Sequence, residues 1–205
     1  MRVDAVTKEK TEIRIRESAR NLFFEKGFGA TTTRDIASSA GIAVGTLFNY
    51  FSTKESLGIA LISTELAAGE GDFQENRRGD ESLEEELFAF IMAGLRRLDA
   101  VRVYAADVLE SSLNPLSRPG RCLEADTLRD RHWEVVAGVL TRHGAAQPTA
   151  ASLMHLYWSL YLGIVGFWSR DASEHQADTL ALMDQTTRLF AAAALPRSIK
   201  QEVSL

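Results

Sequence analysis

Val44, Gly45, Thr46, Phe48, Asn49 and Tyr50 crowd six contact-making residues into seven positions, inside a run, AGIAVGTLFNYF, that carries no charge. On a helix, Leu47 and Phe51 lie one turn apart and share a face, which would join Ile36, Ala37 and Ile42 in a small core. The other six would then point outward as two aromatics, an amide, a hydroxyl, a valine and a glycine. Such a face suits the groove of a DNA duplex better than it suits water. Val44 and Phe48 can pack on thymine methyls, Thr46 offers a hydroxyl and a methyl, and Gly45 permits close backbone approach. Asn49, Tyr50 and Lys54 can grip phosphates, with Thr33 at the start of the preceding helix as a further anchor. Arg34 can reach a guanine edge or a phosphate, or pair with a nearby acid. Tyr50 can equally be half-buried packing, and Lys54 a solvated surface residue.

These residues need elements to hold them. Ile15, Ala19, Leu22 and Phe23 recur at helical spacing, so a first helix is expected over residues 8–26, stopped by Gly27, with Phe28 folding back on it. Thr33 is the expected N-cap of a second, short helix carrying Ile36, Ala37 and Ala40. Gly41 ends that helix, and a third follows from Ala43 or Val44 to Phe51. Two short helices about a glycine turn are the sequence form of a helix-turn-helix. Ser52 or Thr53 then caps a fourth helix, and the polar stretch GEGDFQENRRGDES, residues 69–82, reads as a hinge.

The segment TTTRDIASSAGIAVGTLFNYFSTKESL, residues 31–57, resembles the helix-turn-helix of the TetR family of bacterial transcriptional repressors. Ile36-Ala37, Ala40-Gly41, Gly45-Thr46-Leu47, Tyr50-Phe51 and Lys54-Glu55 agree with that family's pattern in identity and spacing. ARNLFFEKGFGATT, residues 19–32, resembles its first helix and the turn after it. Two positions depart. Phe48 stands where the family usually has Tyr, and Ala43 where a Ser or Thr often caps the recognition helix, a loss of about 1 kcal/mol of local stability. The resemblance covers the first quarter of the chain. It implies a dimeric, ligand-responsive regulator, most often a repressor, that binds a palindromic operator in double-stranded DNA.

The remaining residues agree with a helical body. The 205 residues are 45% hydrophobic and 25% charged, with 4 prolines and no alternating strand runs. An all-α fold of about nine helices is expected: a three-helix DNA-binding head (1–55), a connecting helix and hinge (56–82), and a ligand-binding and dimerisation domain (83–205). Body helices are expected near 83–99, 101–113, 121–143, 148–170 and 174–195, with breaks at NPLSRPG and HGAAQP and a frayed tail from Pro196. The net charge is −5, yet residues 1–55 hold nine Lys/Arg against seven Asp/Glu, leaving the remainder at −7. A mildly basic head on an acidic body suggests a polyanion partner for the head alone.

Residues 153–168 are apolar nearly all round, so that helix must be buried on two sides. A homodimer through a four-helix bundle is expected, with Leu156, Leu160, Gly163, Ile164, Phe167, Met183 and Phe190 at its interface. A large monomeric core is the alternative. Phe88, Met92, Tyr104, Trp133, His155 and Trp158, with Phe90, Tyr157 and Tyr161 beside them, can line a pocket for a small-molecule effector, or can simply be core. The four histidines show no metal-ligand spacing with one another or with Cys122, the single cysteine. No phosphate loop, nucleophile elbow or carboxylate pair stands out, so neither an enzyme nor a cofactor is expected. One cysteine, no signal-type N-terminus and no stretch of about 20 apolar residues fit a cytoplasmic protein outside the membrane. The rival reading keeps the same head on an adaptor that works through protein partners.

Overall fold

The computed structural model describes residues 5–113 and 122–195. The expected break at 114–120, the helix start at Arg121 and the tail from Pro196 lie outside them. Among the described residues the chain is helical without strands: α1 (Ala5–Lys26), α2 (Thr33–Ser39), α3 (Val44–Phe48), α4 (Lys54–Asn76), α5 (Leu83–Leu98), α6 (Arg102–Leu113), α7 (Leu123–Arg142), α8 (Ala151–Trp168) and α9 (Ala177–Ala194). Packing divides them into two compact units, Met1–Asp72 with Ala93–Arg131, and Phe73–Met92 with His132–Leu205.

In the first unit, Ile15, Ala19 and Phe23 of α1 are fully buried. Gly27, at φ +81°, ends the helix, its N–H donating to the Phe23 carbonyl at 3.0 Å. Only glycine takes that left-handed conformation without strain. Phe28 then folds back, its ring edge-on to Phe23 with centroids 5.0 Å apart. Tyr104 of α6 meets the same Phe23 ring at 5.5 Å.

Helix α4 runs longer than expected. The supposed hinge at 69–82 is helical as far as Asn76, which leaves only 77–82 as a turn. Two glycines in that stretch have different reasons to be there. A Cβ on Gly69 would stand 2.9 Å from the Ala93 carbonyl oxygen and 3.0 Å from Gly94 Cα, so here α4 and α5 touch backbone to backbone. The paired carboxylate and guanidinium of Asp72 and Arg97, with two contacts of 2.6 Å, flank the crossing. Gly71 is exposed and would meet nothing within 4 Å. Gly69→Ala is therefore expected to destabilise the fold, because overpacking costs about 1–3 kcal/mol and outweighs the roughly 1 kcal/mol gain in helix propensity. Gly71→Ala takes that gain alone and should stabilise. Thermal unfolding of the two variants side by side checks the sign, and shifts in the same direction would contradict the close approach.

The second unit is an aromatic core. Phe90 of α5, Tyr157, Trp158, Tyr161 and Trp168 of α8, and Phe190 of α9 are buried in it. The turn between α8 and α9 is closed by the Asp171 carboxylate, which accepts from the N–H groups of Ser173 (2.8 Å) and Thr179 (2.9 Å) and from the Thr179 hydroxyl. Those bonds hold its pKa well below the ordinary carboxylate range.

Candidate nucleic-acid interface

The two short helices are fixed by their ends. The N-cap of α2 is Thr32, one residue before the expected Thr33. Its hydroxyl accepts from Asp35 N–H at 3.2 Å while the Asp35 carboxylate accepts from Thr32 N–H at 2.9 Å. This reciprocal box needs an acceptor three residues after the cap, and Asp35 stands there only for Thr32. Thr33 becomes the first helical residue and is half-buried. The bonds from Thr32 hold the Asp35 carboxyl below its ordinary pKa of 3.8. At the other end Gly41 sits at φ +65°, with Gly41 N–H on the Ser38 carbonyl (3.1 Å) and Ile42 N–H on that of Ala37 (3.0 Å). This paired closure swings the chain directly into α3.

Helix α3 has five residues and no side-chain cap at Ala43. Leu47 is 0% exposed and Phe51 only 4%, and both share the core with Ile36 and Ala37. Arg16 braces this side, its guanidinium 5.3 Å from the Phe51 ring centroid and donating to the Ala60 carbonyl at 3.1 Å. Ile42, expected in the same core, is only half-buried, because it belongs to the turn rather than to either helix.

With Leu47 and Phe51 turned inward, the outer surface carries the remaining residues. Phe48 is 47% exposed, Gly45 and Asn49 are exposed, and Val44 is half-buried on the same face. Thr46 and Tyr50, one turn apart, are half-buried along its flank. A Cβ at Gly45 would meet nothing within 4 Å. Arg34 is exposed on α2 and makes no ion pair or hydrogen bond among the described residues.

Lys54 is placed differently. Its ammonium donates to the carbonyls of Phe28 (2.7 Å) and Thr31 (3.0 Å), approaches that of Gly29 (3.5 Å), and lies 4.3 Å from the Phe28 ring centroid. An ammonium has three donors, and these contacts occupy them. The side chain staples the turn after α1 to the start of α4, and a phosphate contact would require it to leave. Lys54→Ala is accordingly expected to lower stability by about 1.5–3 kcal/mol, as for hydrogen bonds to a charged group, with the salt dependence of DNA binding unchanged. A salt slope lower by about one ion would restore the phosphate role.

The effector candidates fall in both units. Tyr104 is buried against Phe23 in the first. Trp133, His155 and Trp158 meet edge to face in the second, with Trp133 at 5.2 Å from His155 and 6.4 Å from Trp158. Phe88 and Met92 are half-buried. The centre of the aromatic cluster is a residue outside that set. His132 lies against Phe90, Tyr157, Trp158 and Tyr161, its Nε2 2.9 Å from the Tyr157 hydroxyl. Burial pushes its pKa down to about 3, so it is neutral. Its only sequence signal is an unremarkable place on α7. A crevice of about 10 Å³, no larger than one water, opens among Leu87, Ile91, Tyr161, Ile164, Thr187 and Phe190.

Three expected dimer residues are corrected. Ile164, Met183 and Phe190 are 0–2% exposed within their own chain and have no surface to offer a partner. Leu156 and Phe167 are exposed, as is Gly163, while Leu160 is half-buried. Leu189, 69% exposed on α9, escaped the sequence reading. Burial pushes the Cys122 thiol above its ordinary pKa of 9.0, so it is not a ready thiolate. Among the described residues, no group of three or more His, Cys, Asp or Glu is placed to hold a metal, and no helix is long and apolar enough to cross a membrane.

Among the described residues, a capped helix-turn-helix stands at the head of an otherwise helical chain. Residues 15–61 match the family model of bacterial regulatory proteins of the tetR family. The HTH-type transcriptional repressor KstR2 of Rhodococcus jostii is 54% identical over 39 residues, 19% of each chain. Such alignments span 19–36% of the relatives' own lengths. The fold is similar to that of a TetR transcriptional regulator from Rhodococcus sp. RHA1, with a TM-score of 0.70 at 18% identity over 89% of this chain and 97% of that one. It is also similar to that of Thermus thermophilus FadR, a TetR-family repressor in complex with lauroyl-CoA, with a TM-score of 0.68 at 20% identity over 92% and 97%. Residues 15–61 are thus similar to the tetR-family domain, and the fold is like that of these TetR-family structures.

Proposed function

We propose that the chain represses transcription as a homodimer, binding a palindromic operator and releasing it when a small molecule binds the body. The observation that carries this reading is the outward face of α3, uncharged and partly apolar, on a helix anchored by the buried Leu47 and Phe51. Residues 1–55 read the DNA, and α4 with the turn at 77–82 joins them to a body over 83–205. Thr33, Arg34, Val44, Gly45, Thr46, Phe48, Asn49 and Tyr50 make the contacts.

Two heads are needed, because paired recognition helices about 34–36 Å apart read two half-sites on one side of the duplex. Leu156, Gly163 and Phe167 of α8 and Leu189 of α9, all exposed, supply an apolar surface for the second copy. The effector is apolar or amphipathic, in keeping with the aromatic second unit. The lauroyl-CoA of the Thermus thermophilus complex and the stearoyl-CoA of Bacillus subtilis FadR are ligands of this kind in proteins of the same fold. The crevice beside Tyr161 is too small for either, so an effector favours a wider conformation, and only its preference between states moves the equilibrium.

A mobility shift with the full chain on DNA flanking its own gene tests the reading. A specific complex of dimer stoichiometry is expected. Its absence, with binding to protein partners instead, favours the adaptor.

A further inference from the structure

The face that α3 presents lacks two of the four base readers. Residues 36–53 contain no Asp, Glu, Lys, Arg or His. In the major groove guanine is read chiefly by Arg or Lys, cytosine by Asp or Glu, adenine by Asn or Gln, and thymine by apolar contact with its methyl. The outer face of α3 carries Val44, Phe48 and Asn49, with Thr46 on its flank. It holds an adenine reader and thymine-methyl readers. Neighbouring cations do not extend the set, because the Lys54 ammonium is held by the carbonyls of Phe28 and Thr31, the Arg16 guanidinium by Phe51 and the Ala60 carbonyl on the inner side, and Arg34 lies on α2. Gly45, with open space where a Cβ would be, lets the helix backbone approach the base edges.

We propose that α3 reads a core of A·T pairs, in which thymine methyls pack on Phe48 and Val44 and Asn49 pairs with adenine. Guanine is read only at the edge of the half-site, by Arg34. This rests on the DNA-binding function above and names the chemistry of the operator. The Phe48 ring, 47% exposed in the free protein, is covered by thymine in the complex. The tyrosine that the family usually has there would place a hydroxyl against that methyl, and phenylalanine does not.

Deoxyuridine tests this directly, since it removes the methyl of thymine and keeps every hydrogen-bonding atom. Full-length protein selects duplexes from a randomised pool, and each thymine of the enriched half-site is then replaced in turn. An A·T-rich core is expected, with affinity falling about fourfold for each contacted methyl, the worth of one buried methyl-sized group. Phe48→Ala should bind the thymine and deoxyuridine duplexes equally at one position, while Phe48→Leu and Asn49→Ala keep the discrimination there. G·C pairs beneath α3, deoxyuridine tolerated throughout, or an undiminished penalty in Phe48→Ala would each overturn the inference. If sequences are enriched but blind to the methyl, this inference alone fails. If no sequence is enriched, the DNA-reading function fails with it.

Discussion

Glu86→Ala is expected to destabilise the second unit by about 3 kcal/mol, the low end for breaking a buried ion pair by removing one partner. Glu86 is 3% exposed. Its carboxylate accepts from Arg142 Nη2 at 2.5 Å and contacts His143 Nε2 at 2.7 Å. Arg77 Nε lies 2.7 Å away as an ion pair without the angle of a hydrogen bond. Removing the carboxylate leaves two guanidiniums without their counter-charge, Arg77 just past the end of α4 and Arg142 at the end of α7. They keep some exposure, 25% for Arg77 and 38% for Arg142, which is why the low end of the range applies. Desolvation pushes the Glu86 pKa up, but the bonds from Arg142 and His143 and the charges of Arg142 and Arg77 outweigh it and leave it below 4.5. A carboxyl depressed in the folded state stabilises above its unfolded pKa and loses that contribution as pH falls through the folded one. The gap between wild type and Glu86→Gln in urea unfolding should therefore be full at neutral pH and close below about pH 4.5. A gap that is constant across that range would contradict the assignment.

The second large effect separates two adjacent residues. Leu47→Ala should cost about 3 kcal/mol, as a fully buried leucine does when truncated, and should abolish DNA binding. Helix α3 has five residues and no side-chain cap, so little besides Leu47 and Phe51 holds its angle. Phe48→Ala should change stability by no more than about 0.5 kcal/mol, as an exposed substitution, yet weaken operator binding. Denaturant midpoints and binding curves on the same two preparations check both halves. Equal stability losses would mean that the ring of Phe48 is packed into the fold.

The head was legible in the sequence because its signals are local. Gly27 and Gly41 mark helix ends that need positive φ, and Leu47 and Phe51 are inward by spacing alone. Thr32 was missed in favour of Thr33 although the threonine-to-aspartate spacing of the capping box was present. Lys54 misled for a different reason. A lysine after a recognition helix fits a phosphate, and nothing local reveals that the carbonyls at residues 28 and 31 converge on it. The glycines of residues 69–82 suggest a hinge, but Gly69 meets the backbone of Ala93 and Gly94 on α5, which sequence spacing does not show.

The body was legible as helices and not as faces. Helix α8 is apolar on nearly every side, so no periodicity separates Ile164, which is buried, from Gly163 and Phe167, which are exposed. Met183 and Phe190 went the same way on α9. His132 carried no pattern at all, since its partners Phe90, Tyr157 and Tyr161 come from other helices.

The most direct measurement of the central claim is equilibrium binding of the full chain to labelled DNA flanking its own gene, for wild type and for a Phe48→Ala, Asn49→Ala double variant. Wild type is expected to prefer this DNA to a scrambled duplex, and the double variant to keep the wild-type melting temperature and lose the preference. A double variant that discriminates as well as wild type would show that base edges are read elsewhere than on the outer face of α3.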